Sequence, residues 1–129
     1  MSKYKLWVVD DEESIRTICR SALEDHFVIE TFPNGSEALL ALNSDKPDLI
    51  ITDIKMPGLS GLELLQKVSE RYPDLPTIVI TAHSDIDNAL SAYKGGAFEY
   101  LPKPFDVDTI KALAMKAVKN AERIEDVSE

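Results

Sequence analysis

The chain has 129 residues, of which 44% are hydrophobic and 29% are charged, and its formal net charge is −9. This size and composition are typical of one globular domain, whereas the acidic balance argues against a nucleic-acid interface, which favours a basic face. The single cysteine excludes an internal disulfide framework, and the absence of an apolar run of about 20 residues argues against a membrane span, so we expect a cytoplasmic protein.

Five short apolar segments alternate with five amphipathic segments along the chain. The apolar segments are predicted strands, because each is too short for a helix and rich in strand-forming residues. In chain order, the segments are strand Leu6–Val9, helix Ile15–Leu23, strand Phe27–Phe32, helix Ala38–Leu42, strand Leu49–Asp53, helix Leu62–Tyr72, strand Thr77–Thr81, helix Ser84–Lys94, strand Phe98–Leu101 and a last helix that starts near Asp106 or Asp108 and continues to Ala121. This alternation predicts an α/β fold with a parallel sheet and helices on both faces.

Several local features refine this prediction. In the first helix, apolar residues recur at helical spacing and predict a buried stripe made of Ile15, Ile18, Cys19, Ala22 and Leu23. Its N-cap is predicted to be Ser14 or an upstream acid. The partial alternation of the second strand predicts an edge position. Residues 1–123 are predicted to form the domain, and residues 124–129 the start of a linker or a disordered tail, because they carry no packing stripe.

Polar residues stand at the carboxyl ends of four predicted strands. Asp10 and Asp11 follow the first strand, and Asp53 ends the third. Thr81 ends the fourth strand, and Lys103 follows the fifth. Because a parallel sheet brings these ends to one edge, the carboxylates would repel each other unless a cation sits among them. Such an oxygen-rich site suits Mg²⁺, and with an ammonium and a hydroxyl nearby it suits phosphoryl transfer.

Each of these residues also has a simpler interpretation. Asp53 could be an ordinary turn residue, since Pro57-Gly58 follows it, and Asp10-Asp11 could only favour a helix N-terminus. Lys103 could be an exposed loop lysine, and Thr81 a helix cap. That all four strand ends carry such residues by coincidence is the less favoured interpretation.

The chain resembles the receiver domains of bacterial two-component response regulators over nearly its whole length. The residues that carry the resemblance are Val8-Val9-Asp10-Asp11-Glu12, Asp53-Ile54-Lys55-Met56-Pro57-Gly58, Thr81-Ala82 and Lys103-Pro104-Phe105. It implies a flavodoxin-like (CheY-like) three-layer fold, with a five-stranded sheet of order 2-1-3-4-5 and five helices. It also implies that a sensor histidine kinase phosphorylates Asp53.

The resemblance assigns further roles at the same edge. Asp11, Asp53 and the backbone carbonyl of Lys55 would bind Mg²⁺ directly, with Mn²⁺ as the alternative metal, and Asp10 would act through a metal-bound water. Lys103 would contact the phosphoryl group, and the Lys103–Pro104 peptide would be cis. Thr81 and Tyr100 match the family's switch pair, which would act on the predicted helix Ser84–Lys94.

The stretch Thr81–Phe105 is similar to the receivers of NtrC-type, sigma-54-dependent activators of nitrogen-regulated genes. Those proteins continue into an ATPase domain and a DNA-binding domain, neither of which lies within these 129 residues. The expected partners are a sensor histidine kinase and the protein's own ATPase domain or a second receiver, on the face of the fourth helix, fifth strand and fifth helix. We expect no direct contact with nucleic acid or membrane, and no enzyme activity beyond slow Mg²⁺-dependent self-dephosphorylation.

Three other functions compete with this interpretation. A haloacid-dehalogenase-like phosphatase would need a second acid two residues after its aspartyl nucleophile, where this chain has Lys55. A flavodoxin-like cofactor binder would need a phosphate loop after the first strand, where Asp10-Asp11-Glu12 would repel phosphate. A pseudo-receiver that only binds partners is disfavoured because every expected site residue is present.

Overall fold

The computed structural model describes residues 3–82 and 96–127, with side chains described as far as residue 121. The strands are β1 (Tyr4–Val9), β2 (Phe27–Phe32), β3 (Leu49–Asp53), β4 (Thr77–Thr81) and β5 (Glu99–Pro102). The helices of the described residues are α1 (Glu13–Leu23), α2 (Gly35–Ala41), α3 (Gly61–Arg71) and α4 (Val107–Val127). All five predicted strands and four of the five predicted helices are therefore observed, and the predicted helix Ser84–Lys94 lies outside the described residues.

The five strands form one sheet in the order β2-β1-β3-β4-β5, and every neighbouring pair is parallel. This confirms the predicted parallel sheet and its order. Because β1 and β4 flank β3 on either side, the end of β3 lies at the centre of the carboxyl edge. The residues that follow β1 and β4 must therefore lie beside Asp53.

Successive residues of the buried strands point to opposite faces of the sheet. In β1, Leu6 and Val8 join the apolar cluster that contains residues of α1 and α4, whereas Trp7 and Val9 join the cluster that contains residues of α2 and α3. All four are fully or almost fully buried. A strand covered on both faces has to be apolar on both, which is why it reads as a continuous run.

The buried face of α1 differs in detail from the prediction. In α1, Cys19, Ala22 and Leu23 are buried, but Ile18 is 43% exposed, so its predicted place on the buried stripe is wrong. Ile18 is exposed because the side of the helix that faces the sheet is narrower than the set of apolar residues at helical spacing. In α3 the buried residues are Gly61, Leu64, Leu65 and Val68.

The edge strand β2 and the last helix α4 can also be compared with the prediction. Strand β2 is an edge strand with only its first residue, Phe27, buried, as the alternation predicted. Helix α4 runs to Val127, so helical backbone continues past the predicted boundary at residue 123, and the boundary itself stays a prediction. Among the described helices, none combines the length and the apolar composition needed to cross a membrane.

Candidate functional site

Three aspartates meet at the carboxyl edge of the sheet. Val9 pairs with Thr52 in the ladder between β1 and β3, so the next residues along these strands, Asp10 and Asp53, lie side by side. One carboxylate oxygen from each of Asp10, Asp11 and Asp53 lies within 4.8 Å of the others. Asp10 and Asp53 are buried, whereas Asp11 is exposed. The predicted acidic cluster is therefore present.

Asp10 is the most buried acid of this cluster. Its Oδ1 accepts a hydrogen bond from the backbone N–H of Glu12 over 2.9 Å, whereas its Oδ2 is buried without a hydrogen-bond partner among the described residues. The pKa of Asp10 is raised to about 6: burial is the main cause, the bond from Glu12 and the Lys103 ammonium lower the pKa in part, and the nearby Asp53 carboxylate raises it. A cation bound here would meet an oxygen that lacks a donor and would stabilise a buried charge.

Lys103 supplies the positive charge that faces Asp53. Its Nζ lies 3.5 Å from Asp53 Oδ2 and 3.5 Å from Glu12 Oε1. Partial burial lowers the pKa of Lys103, but the carboxylates of Asp53, Asp10 and Glu12 outweigh this effect, and the net pKa is raised. The ammonium therefore remains charged at neutral pH, as phosphoryl-group binding requires.

The backbone around Lys103 fixes the approach of this side chain. Its N–H donates to the carbonyl oxygen of Thr81 over 2.8 Å, which ties the loop after β5 to the end of β4. The Lys103–Pro104 peptide is cis, as predicted. Lys103 thus reaches Asp53 from the end of β5, across the end of β4, which lies between β5 and β3.

Asp53 itself combines burial with access to the ammonium. It is 6% exposed, and its pKa is raised because burial outweighs the opposing effects of Lys103 and of the Ile54 backbone N–H, while Asp11 adds repulsion. Water competes poorly for a carboxylate in such a place, so its charge is available to a metal ion or an incoming phosphoryl group.

The two predicted switch residues lie on neighbouring strands. Thr81 is 2% exposed at the end of β4, and its hydroxyl donates to the carbonyl oxygen of Ala82 over 3.2 Å. Tyr100 lies on β5 opposite Val79, two positions before the partner of Thr81, and is 36% exposed. Lys55 follows β3 with an exposed side chain, so any role in the cluster falls to its backbone carbonyl.

Two residues that contact the site were given no role in it by the sequence interpretation. Glu12, quoted there only as part of the acidic run after the first strand, lies 3.5 Å from the Lys103 ammonium, which also contacts Asp53. Gly61, the first residue of α3, contacts the backbone of Asp53 so closely that a side chain would not fit. Its sequence context, Leu-Ser-Gly-Leu, gives no sign of this contact.

The donor set fits a hard divalent cation. Carboxylate oxygens are the ligands that Mg²⁺ prefers, and Mg²⁺ is commonly held by one or two carboxylates and several waters. Asp11 is open to solvent while Asp10 and Asp53 are buried, so one side of the cluster is accessible to water and to an incoming anion. The chemistry of these residues therefore suits a magnesium site with an open coordination side.

Comparisons with known proteins agree with this geometry. The family described as "Response regulator receiver domain" matches residues 6–115. The DNA-binding transcriptional regulator NtrC of Salmonella typhimurium is 50% identical over 121 residues, which cover 93% of this chain and 26% of NtrC. The chain thus spans about a quarter of the length of such curated relatives.

Solved structures give the same result. The solution structure of the receiver domain of the nitrogen regulatory protein C matches with a TM-score of 0.84 and 50% identity, covering 93% of this chain and 98% of that one. NtrX from Brucella abortus, in complex with ADP, matches with a TM-score of 0.93 and 33% identity, covering 98% of this chain and 30% of NtrX. The phosphatase, the flavodoxin-like binder and the pseudo-receiver are not favoured by these matches. The chain belongs to the response regulator receiver domain family, a family of signalling domains in two-component systems, and within it is similar to the receivers of NtrC-type regulators.

Proposed function

We propose that Asp53 is the phosphoacceptor of this receiver and takes its phosphoryl group from a sensor histidine kinase. The observation that carries the proposal is the placement of Asp53 between the acids Asp10 and Asp11 and the ammonium of Lys103, 3.5 Å away. A nucleophilic carboxylate, a cation and an acidic cluster suited to a metal are the parts that phosphoryl transfer needs.

The reaction is a direct transfer between two nucleophiles. An oxygen of the Asp53 carboxylate attacks the phosphorus of a phosphohistidine, the new P–O bond forms, and the P–N bond breaks, so that the imidazole leaves and takes up a proton from solvent. Lys103 offsets the charge that gathers on the equatorial oxygens. Mg²⁺, held by Asp11, Asp53 and the carbonyl of Lys55 and reached by Asp10 through water, would neutralise further charge; Mn²⁺ would serve the same role.

The phosphorylated state is proposed to act through Thr81 and Tyr100. The phosphoryl group would accept a hydrogen bond from the Thr81 hydroxyl. The Tyr100 ring would then move into the space that the Thr81 side chain vacates. That change would bias the segment Ser84–Lys94 and, through it, a face shared with β5 and α4. The partner on this face would be the protein's own ATPase domain or a second receiver.

The biological setting is proposed from the relatives rather than from this chain alone. Because NtrC and DctD are named as transcriptional regulators, we infer that this receiver controls a sigma-54-dependent activator of the nitrogen-regulation type in the cytoplasm. The receiver itself would contact neither nucleic acid nor membrane. Slow Mg²⁺-dependent hydrolysis of the phosphoaspartate would reset it.

Labelling with acetyl phosphate tests the proposed phosphoacceptor. In the presence of Mg²⁺ the wild-type chain should gain the mass of one phosphoryl group, and chelation of the metal should prevent it. Asp53→Asn should remove the labelling, because an amide is not a nucleophile of comparable strength. Asp74→Asn, which changes an exposed aspartate of the loop after α3, is the control and should label normally. Mg²⁺-dependent labelling of Asp53→Asn would show that another residue accepts the phosphoryl group.

A further inference from the structure

The start of helix α3 packs against the backbone of Asp53. Gly61 is the first residue of α3, and its N–H donates to the carbonyl oxygen of Ile54 over 2.7 Å. A Cβ at Gly61 would lie 2.8 Å from the carbonyl carbon of Asp53 and 2.8 Å from the Cα of Ile54, and still closer to the Asp53 carbonyl oxygen. Because non-bonded carbon atoms keep about 3.5–4.0 Å apart, a residue larger than glycine would displace one of the two segments.

The requirement at this position concerns space and not backbone conformation. Among the described residues, the glycines with positive φ are Gly58 and Gly96, and Gly61 is not one of them. Any residue could therefore adopt the backbone of Gly61, and alanine is favoured in helices. The glycine is needed only because Asp53 lies directly against it.

A second contact holds the same carbonyl group. The hydroxyl of Thr52, a fully buried residue of β3, donates to the carbonyl oxygen of Asp53 over 3.1 Å. The peptide group between Asp53 and Ile54 is thus restrained by the hydrogen bond from Thr52 and by the first turn of α3. Most residues of a buried strand are apolar, and Thr52 differs from them in having this donor.

We propose that Gly61 and Thr52 are positioning residues for the phosphoacceptor. They fix the peptide from which the Asp53 carboxylate extends towards Lys103, and so set the line along which it meets a phosphoryl donor. The inference rests on the proposed function of Asp53. Displacing a reacting group by 1 Å can cost about 10²-fold in rate, so even a small shift of this peptide should be measurable.

Gly35 offers a matched control. It is the first residue of α2, as Gly61 is of α3, and it is also buried. A Cβ at Gly35 would meet the Cδ2 of Leu59 at 2.9 Å, which is a side-chain atom that can rotate away, and its three nearest atoms all belong to the Leu59 side chain. The two Gly→Ala substitutions therefore make the same chemical change and differ in whether backbone or side chain must yield.

The test compares labelling rates of folded variants. Acetyl phosphate labelling is followed by mass spectrometry, Mg²⁺ affinity by calorimetry and folding by circular dichroism below each variant's thermal midpoint. Gly61→Ala should label about 10–100-fold more slowly than wild type and bind Mg²⁺ more weakly. Gly35→Ala should match the wild type in both, whatever its thermal midpoint. A purely structural role for Gly61 would change the midpoint and leave the labelling rate of the folded protein unaltered, which would overturn the inference.

Thr52 keeps the test decisive if Gly61→Ala does not fold. Thr52→Val keeps the shape of the side chain and removes only the hydroxyl, so it should fold and label more slowly, whereas Thr52→Ser should restore the rate. If Thr52→Val labels at the wild-type rate, the inference is wrong for Thr52. If Gly61→Ala is unfolded as well, the same result overturns the inference for both residues. If the wild-type chain itself is not labelled, the proposed function fails and the inference falls with it; normal labelling of wild type and of all variants overturns the inference alone.

Discussion

Asp10 holds a charge in a place that disfavours it. Its pKa in the folded chain is about 6, against an ordinary value of 3.8, and burial is the main cause. The folded state therefore binds a proton more tightly than the unfolded state does. It follows that the free energy of unfolding decreases as the pH rises from about 4 to about 6, and that the full loss is present at neutral pH.

Asp10→Asn should stabilise the metal-free protein at pH 7.5. The difference between a pKa of about 6 and one of 3.8 corresponds to an upper limit of about 3 kcal/mol, because the amide carries no charge to bury. The gain should shrink as the pH is lowered through about 6 and should be nearly gone near about pH 3, below both pKa values, where Asp10 is protonated in both states. Urea unfolding with a chelator present, at several pH values between about 3 and 7.5, measures it.

The control for this experiment is again Asp74→Asn, which removes an exposed charge. Its effect on the free energy of unfolding should stay within about 0.5 kcal/mol and should not follow the same pH profile. An Asp10→Asn variant that is less stable than wild type at pH 7.5 would show that the carboxylate is compensated within the folded chain.

At the scale of elements, helices α1 and α3 begin in different ways. Helix α3 has a capping box, in which Ser60 accepts from the Glu63 N–H and Glu63 accepts from the Ser60 N–H. The N-cap of α1, Glu12, makes no side-chain capping bond and instead lies 3.5 Å from Lys103. The N-terminus of α1 is thus arranged around the site, since Asp10 also accepts the N–H of Glu12.

The exposed side of α1 borders the site. Ile15 and Ile18 line an open groove of about 380 Å³ together with Ala82, Lys103, Pro104 and Phe105. Since Lys103 contacts Asp53, a protein that presents a phosphohistidine to Asp53 must come within reach of this groove. Ile18, at 43% exposed, is the exposed large apolar residue of α1 in this groove, and we expect it to contact such a donor.

Ile18→Arg should therefore slow phosphotransfer from a kinase without slowing the chemistry. With an autophosphorylated histidine kinase that phosphorylates the wild-type chain, we expect the transfer rate to fall by about tenfold, corresponding to the loss of about 1.4 kcal/mol of contact energy. Labelling by acetyl phosphate, which needs no docking surface, should keep its wild-type rate.

Leu40→Arg is the matched control, because Leu40 is a 69% exposed aliphatic residue on another helix, α2. It should leave both rates unaltered. If Ile18→Arg slowed both reactions equally, the effect would lie in the site itself, and if it slowed neither, the kinase would dock elsewhere.

At the scale of the whole molecule, the sheet and its polar edge were predictable because both follow from simple rules. Buried parallel strands must be apolar on both faces, and strand ends must meet at one edge, so Asp10, Asp53 and Lys103 could be placed together from their positions alone. The rotation of each helix against the sheet was not predictable in this way. The packing of Gly61 on Asp53 and the exposure of Ile18 depend on how each helix is rotated against the sheet, which periodicity does not specify to within one residue.

Binding of Mg²⁺ should stabilise the whole domain, because the acidic cluster exists only when β1 and β3 are paired. A ligand that binds only the folded state at 100 times its Kd adds about 2.7 kcal/mol, which raises the Tm of a domain of this size by about 10 °C. Thermal unfolding with Mg²⁺ and with a chelator measures the shift. Asp11→Asn should reduce it, since Asp11 is the solvent-facing acid of the cluster and one of the proposed ligands, whereas Asp74→Asn should keep it. An equal Tm shift in Asp11→Asn would place the metal elsewhere. Because the metal favours the charged carboxylates, Mg²⁺ should also reduce the decrease in the free energy of unfolding that Asp10 causes between about pH 4 and about pH 6.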